Sequence, residues 1–129
     1  MILGIGTDIV EIKHFKGASK KSPKVLERLF TPKELEKANK LSGNKKFAYY
    51  SKRFAGKEAL SKACGTGIGA DIGWHDMEIL NDKKGAPTVK FSGKAQKFLQ
   101  KKFKVKKVTP FISLTDETEY AMAFAVLVK

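Results

Sequence analysis

Residues 46–69 read KFAYYSKRFAGKEALSKACGTGIG, and the spacing of apolar residues inside this stretch decides the fold class. Phe47, Tyr50 and Phe54, then Ala55, Ala59, Leu60 and Ala63, recur at the three-and-four interval that lines one face of an α-helix. The spacing predicts a helix from about Lys46 to Cys64, the longest in the chain, with Gly65 placed to take the left-handed conformation that ends helices. Gly65-Thr66-Gly67-Ile68-Gly69 is then a loop whose missing side chains permit close approach to another group.

Upstream of that helix, residues 2–12 mix Ile, Leu and Val with Gly4 and Gly6, the pattern of a buried strand whose glycines admit a neighbouring backbone. A short helix is expected over His14–Lys20. Ser22-Pro23 and Thr31-Pro32 each pair an N-cap residue with a first-turn proline, so helices should begin there, and Glu34 completes a capping box with Thr31. Ser42-Gly43-Asn44 ends the second of these. Downstream, Trp74–Leu80 and Pro87–Phe91 flank Asn81-Asp82-Lys83-Lys84-Gly85 as a hairpin, and Ser92 caps a helix carrying Ala95, Phe98 and Leu99. Strands are expected over Val105–Thr115 and Tyr120–Val128. Helices gathered in the first half and hairpin strands in the second predict an α+β fold with a mainly antiparallel sheet.

At 129 residues and 42% hydrophobic composition, the chain reads as one domain spanning 1–129, with enough apolar surface for a core. No apolar run reaches the roughly 20 residues of a membrane helix, so no membrane association is expected. The N-terminus lacks a basic signal region, and the single cysteine, Cys64, suits a reducing compartment, so the expected location is cytoplasmic. Lys and Arg number 26 against 13 Asp and Glu, a net charge of +13, which attracts polyanions without naming one. Residues 13–62 hold 15 basic and 4 acidic residues, and residues 94–107 hold 7 basic and none acidic. A nucleic-acid-binding domain is the rival from another class. It requires exposed aromatics among its basic residues, whereas Phe47, Tyr50 and Phe54 follow core spacing.

Asp8 is an acid in an otherwise apolar or small run, so it needs a partner. A structural ion pair is the plain reading and a metal ligand the sharper one. Glu58 and Lys62 share a helix face as an ordinary i,i+4 pair, yet they lead straight into the glycine loop. Carboxylates for Mg²⁺, a cation for phosphate charge and accessible backbone N–H groups are what phosphoryl transfer needs. Neither glycine cluster completes a dinucleotide or Walker motif. Cys64 has no second thiol or nearby histidine, His14 and His75 lie far apart, and Trp74 is an ordinary core or interface aromatic.

The strings Gly4-Ile5-Gly6-Thr7-Asp8-Ile9-Val10-Glu11-Ile12 and Arg53-Phe54-Ala55-Gly56-Lys57-Glu58-Ala59-Leu60-Ser61-Lys62-Ala63, followed by Gly65-Thr66-Gly67-Ile68, resemble the signatures of the holo-acyl-carrier-protein synthases. Gly85-Ala86-Pro87 and Ser113-Leu114-Thr115-Asp116 leading to Tyr120-Ala121 match later features of that family in order. The resemblance implies a 4'-phosphopantetheinyl transferase fold and a magnesium-dependent enzyme of fatty acid biosynthesis. Such an enzyme moves the phosphopantetheine of coenzyme A onto a serine of apo-acyl carrier protein and releases adenosine 3',5'-bisphosphate. It implies Asp8 and Glu58 as metal ligands and Glu58 and Lys62 as catalytic groups. Arg53, Lys62, Gly65, Thr66, Gly67, Ile68, Gly85 and Pro87 would contact coenzyme A. It also implies a homotrimer with sites between subunits, and a basic carrier-protein surface comprising Lys13, His14, Lys16, Lys20, Lys21 and Arg28. Two departures stand out: Gly56, expected to cost up to about 1 kcal/mol of helix stability, and Asp116 where some members carry histidine, so no role is carried to Asp116. The acceptor's proton would go to Glu58 or to a metal-ordered water.

Overall fold

The computed structural model describes the backbone of residues 1–129 and the side chains of 1–17 and 22–129. Its elements are β1 (Ile2–Glu11), α1 (Lys13–Lys21), α2 (Pro23–Leu29), α3 (Pro32–Ala38), α4 (Gly43–Cys64), β2 (Met77–Asn81), β3 (Pro87–Phe91), α5 (Gly93–Phe103), β4 (Thr109–Asp116) and β5 (Tyr120–Val128). The strand pairings are antiparallel, in a three-stranded sheet ordered β1-β5-β4 and a two-stranded β2-β3 hairpin. This is the expected α+β arrangement, with the strands divided between two sheets.

The central strand of the three-stranded sheet alternates strictly. Along β5, Ala121, Ala123, Ala125 and Leu127 are buried beneath α4, while Tyr120, Met122 and Phe124 face outward. The small inward side chains let the helix lie close, and β1 lets it lie closer still. A Cβ on Gly4 would stand 2.0 Å from the carbonyl oxygen of Ala63, and one on Gly6 2.0 Å from that of Ala59. Strand and helix backbones are thus in direct contact, which only glycine allows. Asp8 lies two residues further along the same face of β1, opposite Ala123 in the register.

Gly56 also has a packing reason. A Cβ there would meet Ile79 Cδ1 at 2.6 Å and Ile112 Cδ1 at 3.0 Å, so the helix gives up propensity to nest against β2 and β4. Ala55, Ala59, Leu60, Ala63, Ile72, Met77, Ile79 and Leu99 belong to one continuous core around α4. A second core of Phe15, Phe30, Tyr49 and Tyr50 fills the space under α1–α3, with the Phe30 and Tyr50 rings stacked at 5.1 Å.

Several boundaries differ from the sequence reading. α4 starts at Gly43 rather than near Lys46, because Gly43 at φ +57 turns the chain directly into the helix. Trp74–Asp76 is a 3₁₀ turn rather than strand, closed by the Gly73 N–H donating to Asp76 Oδ2 at 2.7 Å. Residues 105–108 do not extend β4. There the Gln96 side chain takes both backbone groups of Val108, and Gln100 Nε2 donates to Lys106 O, occupying partners a strand would use. Thr31 forms the expected capping box with Glu34, whereas the Ser22 side chain makes no cap hydrogen bond and Pro23 alone marks the start of α2.

Candidate active site

Glu58 and Lys62 project from the last two turns of α4 toward β1, because the glycines of β1 bring strand and helix together there. Lys62 does not close an i,i+4 pair with Glu58. Its Nζ reaches across to Asp8 Oδ1 at 3.3 Å and donates to the carbonyl of Thr7 at 2.9 Å. Asp8 is largely covered and Lys62 about half exposed, with side-chain exposures of 19% and 54%, so the carboxylate sits at the floor of the site and the ammonium at its rim. Burial raises the Glu58 pKa above its usual range and the nearby Asp8 carboxylate raises it further, while Lys62 works to lower it. Two carboxylates that resist sharing negative charge form a place for a cation.

Among the described residues, no cluster of three or more His, Cys, Asp or Glu side chains is arranged to hold a metal. Two carboxylates are still a fitting protein contribution for Mg²⁺, a hard cation that takes one or two from the protein and completes its shell with water and phosphate oxygens.

The helix ends where the glycine loop begins. Gly65 is left-handed at φ +74, with its N–H on the Lys62 carbonyl at 3.0 Å, and Thr66 N donates to Ser61 O at 3.3 Å. Gly65, Gly67 and Gly69 are exposed. Gly65, Thr66, Gly67 and Ile68 therefore leave the helix within a turn of Lys62.

Arg53 does not join this group. It lies on a different face of α4, 3% exposed, its guanidinium 4.1 Å above the Tyr49 ring and one N–H bonded to Asn81 Oδ1. Asn81 Nδ2 in turn donates to the carbonyl of Gly85 at 2.9 Å, so Arg53, Gly85 and the hairpin that begins β3 at Pro87 form one connected unit. Burial lowers the Arg53 pKa, and its Nε is a buried polar atom without a hydrogen-bond partner.

Of the basic residues expected at a partner surface, Lys13, His14 and Lys16 line clefts where β1 runs into α1. One cleft, of about 720 Å³, also touches Lys45 and Asp116, and the other, of about 530 Å³, also touches Phe54 and Tyr120. Neither cleft reaches Asp8, Glu58, Lys62 or the glycine loop. Arg28 is exposed on α2. Lys20 and Lys21 lie outside the described side chains. Asp116 pairs with Lys52 at 3.0 Å, tying the end of β4 to α4.

Sequence reasoning missed one residue group entirely. Lys57 and Glu34 form an ion pair at 2.7 Å with both side chains wholly buried. Lys57 also donates to the carbonyls of Leu29 and Trp74, at 3.0 and 2.9 Å. Glu34 accepts from Thr31 N at 2.7 Å and from Ile79 N at 2.8 Å. The sole signal was the capping box at Glu34. Nothing in the spacing of Lys57 separates it from a surface lysine. Cys64 is fully buried, and burial pushes its thiol up to about 12, so it is inert packing.

The description of the 4'-phosphopantetheinyl transferase superfamily matches residues 4–125. A holo-[acyl-carrier-protein] synthase of Pelagibacter ubique is 42% identical over 129 residues, covering 99% of this chain and 98% of the relative. A crystal structure of a holo-[acyl-carrier-protein] synthase from Neisseria meningitidis superposes with a TM-score of 0.85 at 34% identity, covering 100% of both chains. One from Bacillus anthracis in complex with CoA (3',5'-ADP) superposes with a TM-score of 0.83 at 34% identity, covering 98% of this chain and 96% of that one.

Proposed function

This chain belongs to the 4'-phosphopantetheinyl transferase superfamily, and from that premise we propose that it transfers the phosphopantetheine arm of coenzyme A to a serine of apo-acyl carrier protein. The observation that carries the reading is the convergence of Asp8, Glu58 and Lys62 beside the glycine loop. The names of full-length relatives and a coenzyme A complex of a structural neighbour support the substrate class.

Asp8 and Glu58 would hold Mg²⁺, which when bound neutralises pyrophosphate charge. Lys62, fixed at the rim by Asp8 and the Thr7 carbonyl, stabilises negative charge gathering on the bridging oxygen as the phosphorus–oxygen bond breaks. The serine oxygen forms the new bond to the β-phosphorus, adenosine 3',5'-bisphosphate departs, and the hydroxyl proton passes to Glu58 or to a water beside it. The glycine loop and the Gly85–Pro87 turn hold the nucleotide, with Arg53, buried against Tyr49, bracing that turn through Asn81 rather than touching the nucleotide. Because among the described residues the bonds of Arg53 and Gly85 run to Asn81 and those of Lys62 to Asp8 and Thr7, with none joining the two groups, the nucleotide is assigned to a site completed by a neighbouring copy.

A homotrimer accounts for the outer face of the sheet. Ile5, Ile9, Phe111, Tyr120, Met122 and Phe124 remain between 39% and 62% exposed there, a contiguous apolar surface that an isolated chain would leave in water. That face carries apolar rather than basic side chains, which favours protein association over nucleic acid. Lys13, His14, Lys16, Lys20, Lys21 and Arg28 form the surface for an acidic carrier protein, with encounter speeded by opposite charge. Among the described residues no helix is long and apolar enough to cross a membrane, and a cytoplasmic location fits the single buried thiol. The domain is assigned to residues 1–129.

The test is intact-mass spectrometry of apo-acyl carrier protein incubated with the chain, coenzyme A and magnesium, beside an EDTA control. A gain of one phosphopantetheine in the magnesium sample, lost in EDTA and lost with Asp8→Ala or Glu58→Ala in folded protein, is the expected result. Undiminished transfer by either variant overturns the site.

A further inference from the structure

α5 carries Lys94, Lys97, Lys101 and Lys102 and no acid, yet Lys102 behaves unlike a solvated lysine. Its Nζ donates to the carbonyl of Cys64, the last residue of α4, at 2.5 Å, although Lys102 is exposed and lies 38 residues away in the chain. That carbonyl is one of the groups a helix end leaves unsatisfied, at the negative pole of the helix dipole, so a cation there is doubly favoured. The same ammonium lies 2.7 Å from where a Cβ on Gly65 would stand. Gly65 takes a positive φ that favours glycine, and its missing Cβ leaves room for the Lys102 ammonium.

An ammonium has three N–H donors. Among the described residues Lys102 uses one for the Cys64 carbonyl, and its charge otherwise lies 5.6 Å from the Phe103 ring. Two donors remain, at the first residue of the exposed glycine loop, one turn beyond Lys62. We propose that Lys102 is a substrate-binding residue. In this role α5 braces the start of the Gly65–Gly69 loop and presents a positive charge to a phosphate of coenzyme A bound there. The proposal rests on the transferase reading above and adds to it a lysine from outside both sequence motifs. The phosphate class is common to the pyrophosphate bridge and the 3'-phosphate, and the experiment separates them.

Lys102→Met keeps the side-chain stem and removes the charge, and Lys102→Arg restores it. In steady-state assays with wild-type protein alongside, Lys102→Met is expected to raise KM for coenzyme A about tenfold, the size of one charge-assisted hydrogen bond. The carrier-protein KM and kcat should stay near wild type, the thermal midpoint should fall by a few degrees as the Cys64 carbonyl loses its donor, and Lys102→Arg should return most of the coenzyme A affinity. An unchanged KM for coenzyme A, or a fall in kcat and thermal midpoint without it, overturns the proposal and leaves Lys102 a helix cap. With dephospho-coenzyme A, a penalty that persists supports contact with the pyrophosphate, and one that vanishes supports contact with the 3'-phosphate. Absence of transfer by the wild type would instead sink the transferase reading.

Discussion

Gly6→Ala is the most direct test of how the fold positions the site. The new methyl would stand 2.0 Å from the Ala59 carbonyl oxygen, 2.8 Å from Ala63 N and 3.0 Å from the Ala59 carbonyl carbon. All three are backbone atoms of α4, so no rotamer change relieves the clash. Reaching even a tight 3.0 Å contact requires β1 and α4 to part by about 1 Å, the difference from 2.0 Å. Asp8 lies two residues beyond Gly6 on the same strand face, and Glu58 immediately precedes Ala59, so the separation opens the carboxylate pair. Misplacing catalytic groups by about 1 Å costs on the order of 100-fold in rate, and overpacking costs roughly 1–3 kcal/mol in stability. The assay is transfer rate at saturating coenzyme A, carrier protein and magnesium, with urea unfolding of the same preparation. Gly56→Ala is the control. Its methyl meets only the tips of Ile79, Ile112 and Leu114, which can rotate, and alanine recovers about 1 kcal/mol of helix propensity. A Gly6→Ala enzyme within about threefold of wild-type rate would refute the claim that this backbone contact sets the site.

Lys57→Met should destabilise the protein by roughly 3–5 kcal/mol, because it strands the wholly buried Glu34 carboxylate. In a urea-unfolding cycle with Glu34→Gln the double variant should lose less than the sum of the single losses, and simple additivity would refute the coupling. Asp76 predicts the acid limb of stability. Burial works to raise its pKa, but the Ser92 hydroxyl at 2.6 Å, the Gly73 N–H and Lys94 outweigh it and hold the pKa below the usual 3.8. A depressed folded pKa gives stability that is present above about 3.8 and lost as pH falls through the folded value. Asp76→Asn should therefore flatten that part of the pH–stability curve, and an unaltered acid slope would count against it. Phe111→Glu, placed on the exposed apolar sheet face, should shift light-scattering mass from the proposed trimer to monomer and reduce transfer with it. A trimer that survives the substitution would place the interface elsewhere.

Sequence alone determined what local physics governs. Periodicity located α4, β1 and β5, the Thr31–Glu34 box and Ser92 announced α3 and α5, and Gly65 marked the end of the central helix. The candidate chemistry was legible because it sits in contiguous strings, with Glu58, Lys62 and the glycine loop in one helix-and-turn and Asp8 in one strand. Only the tertiary structure decided how those strings meet. Lys62 turns to Asp8, 54 residues away, rather than to Glu58, because β1 lies against α4 at two glycines. Gly56 answers to packing rather than to local propensity, since the side-chain tips beside it come from β2 and β4. Lys57 and Lys102 look like ordinary surface lysines in the chain. One is sealed in the core by Glu34 and the other caps α4 from α5, because burial and long-range hydrogen bonds depend on which segments fold over one another.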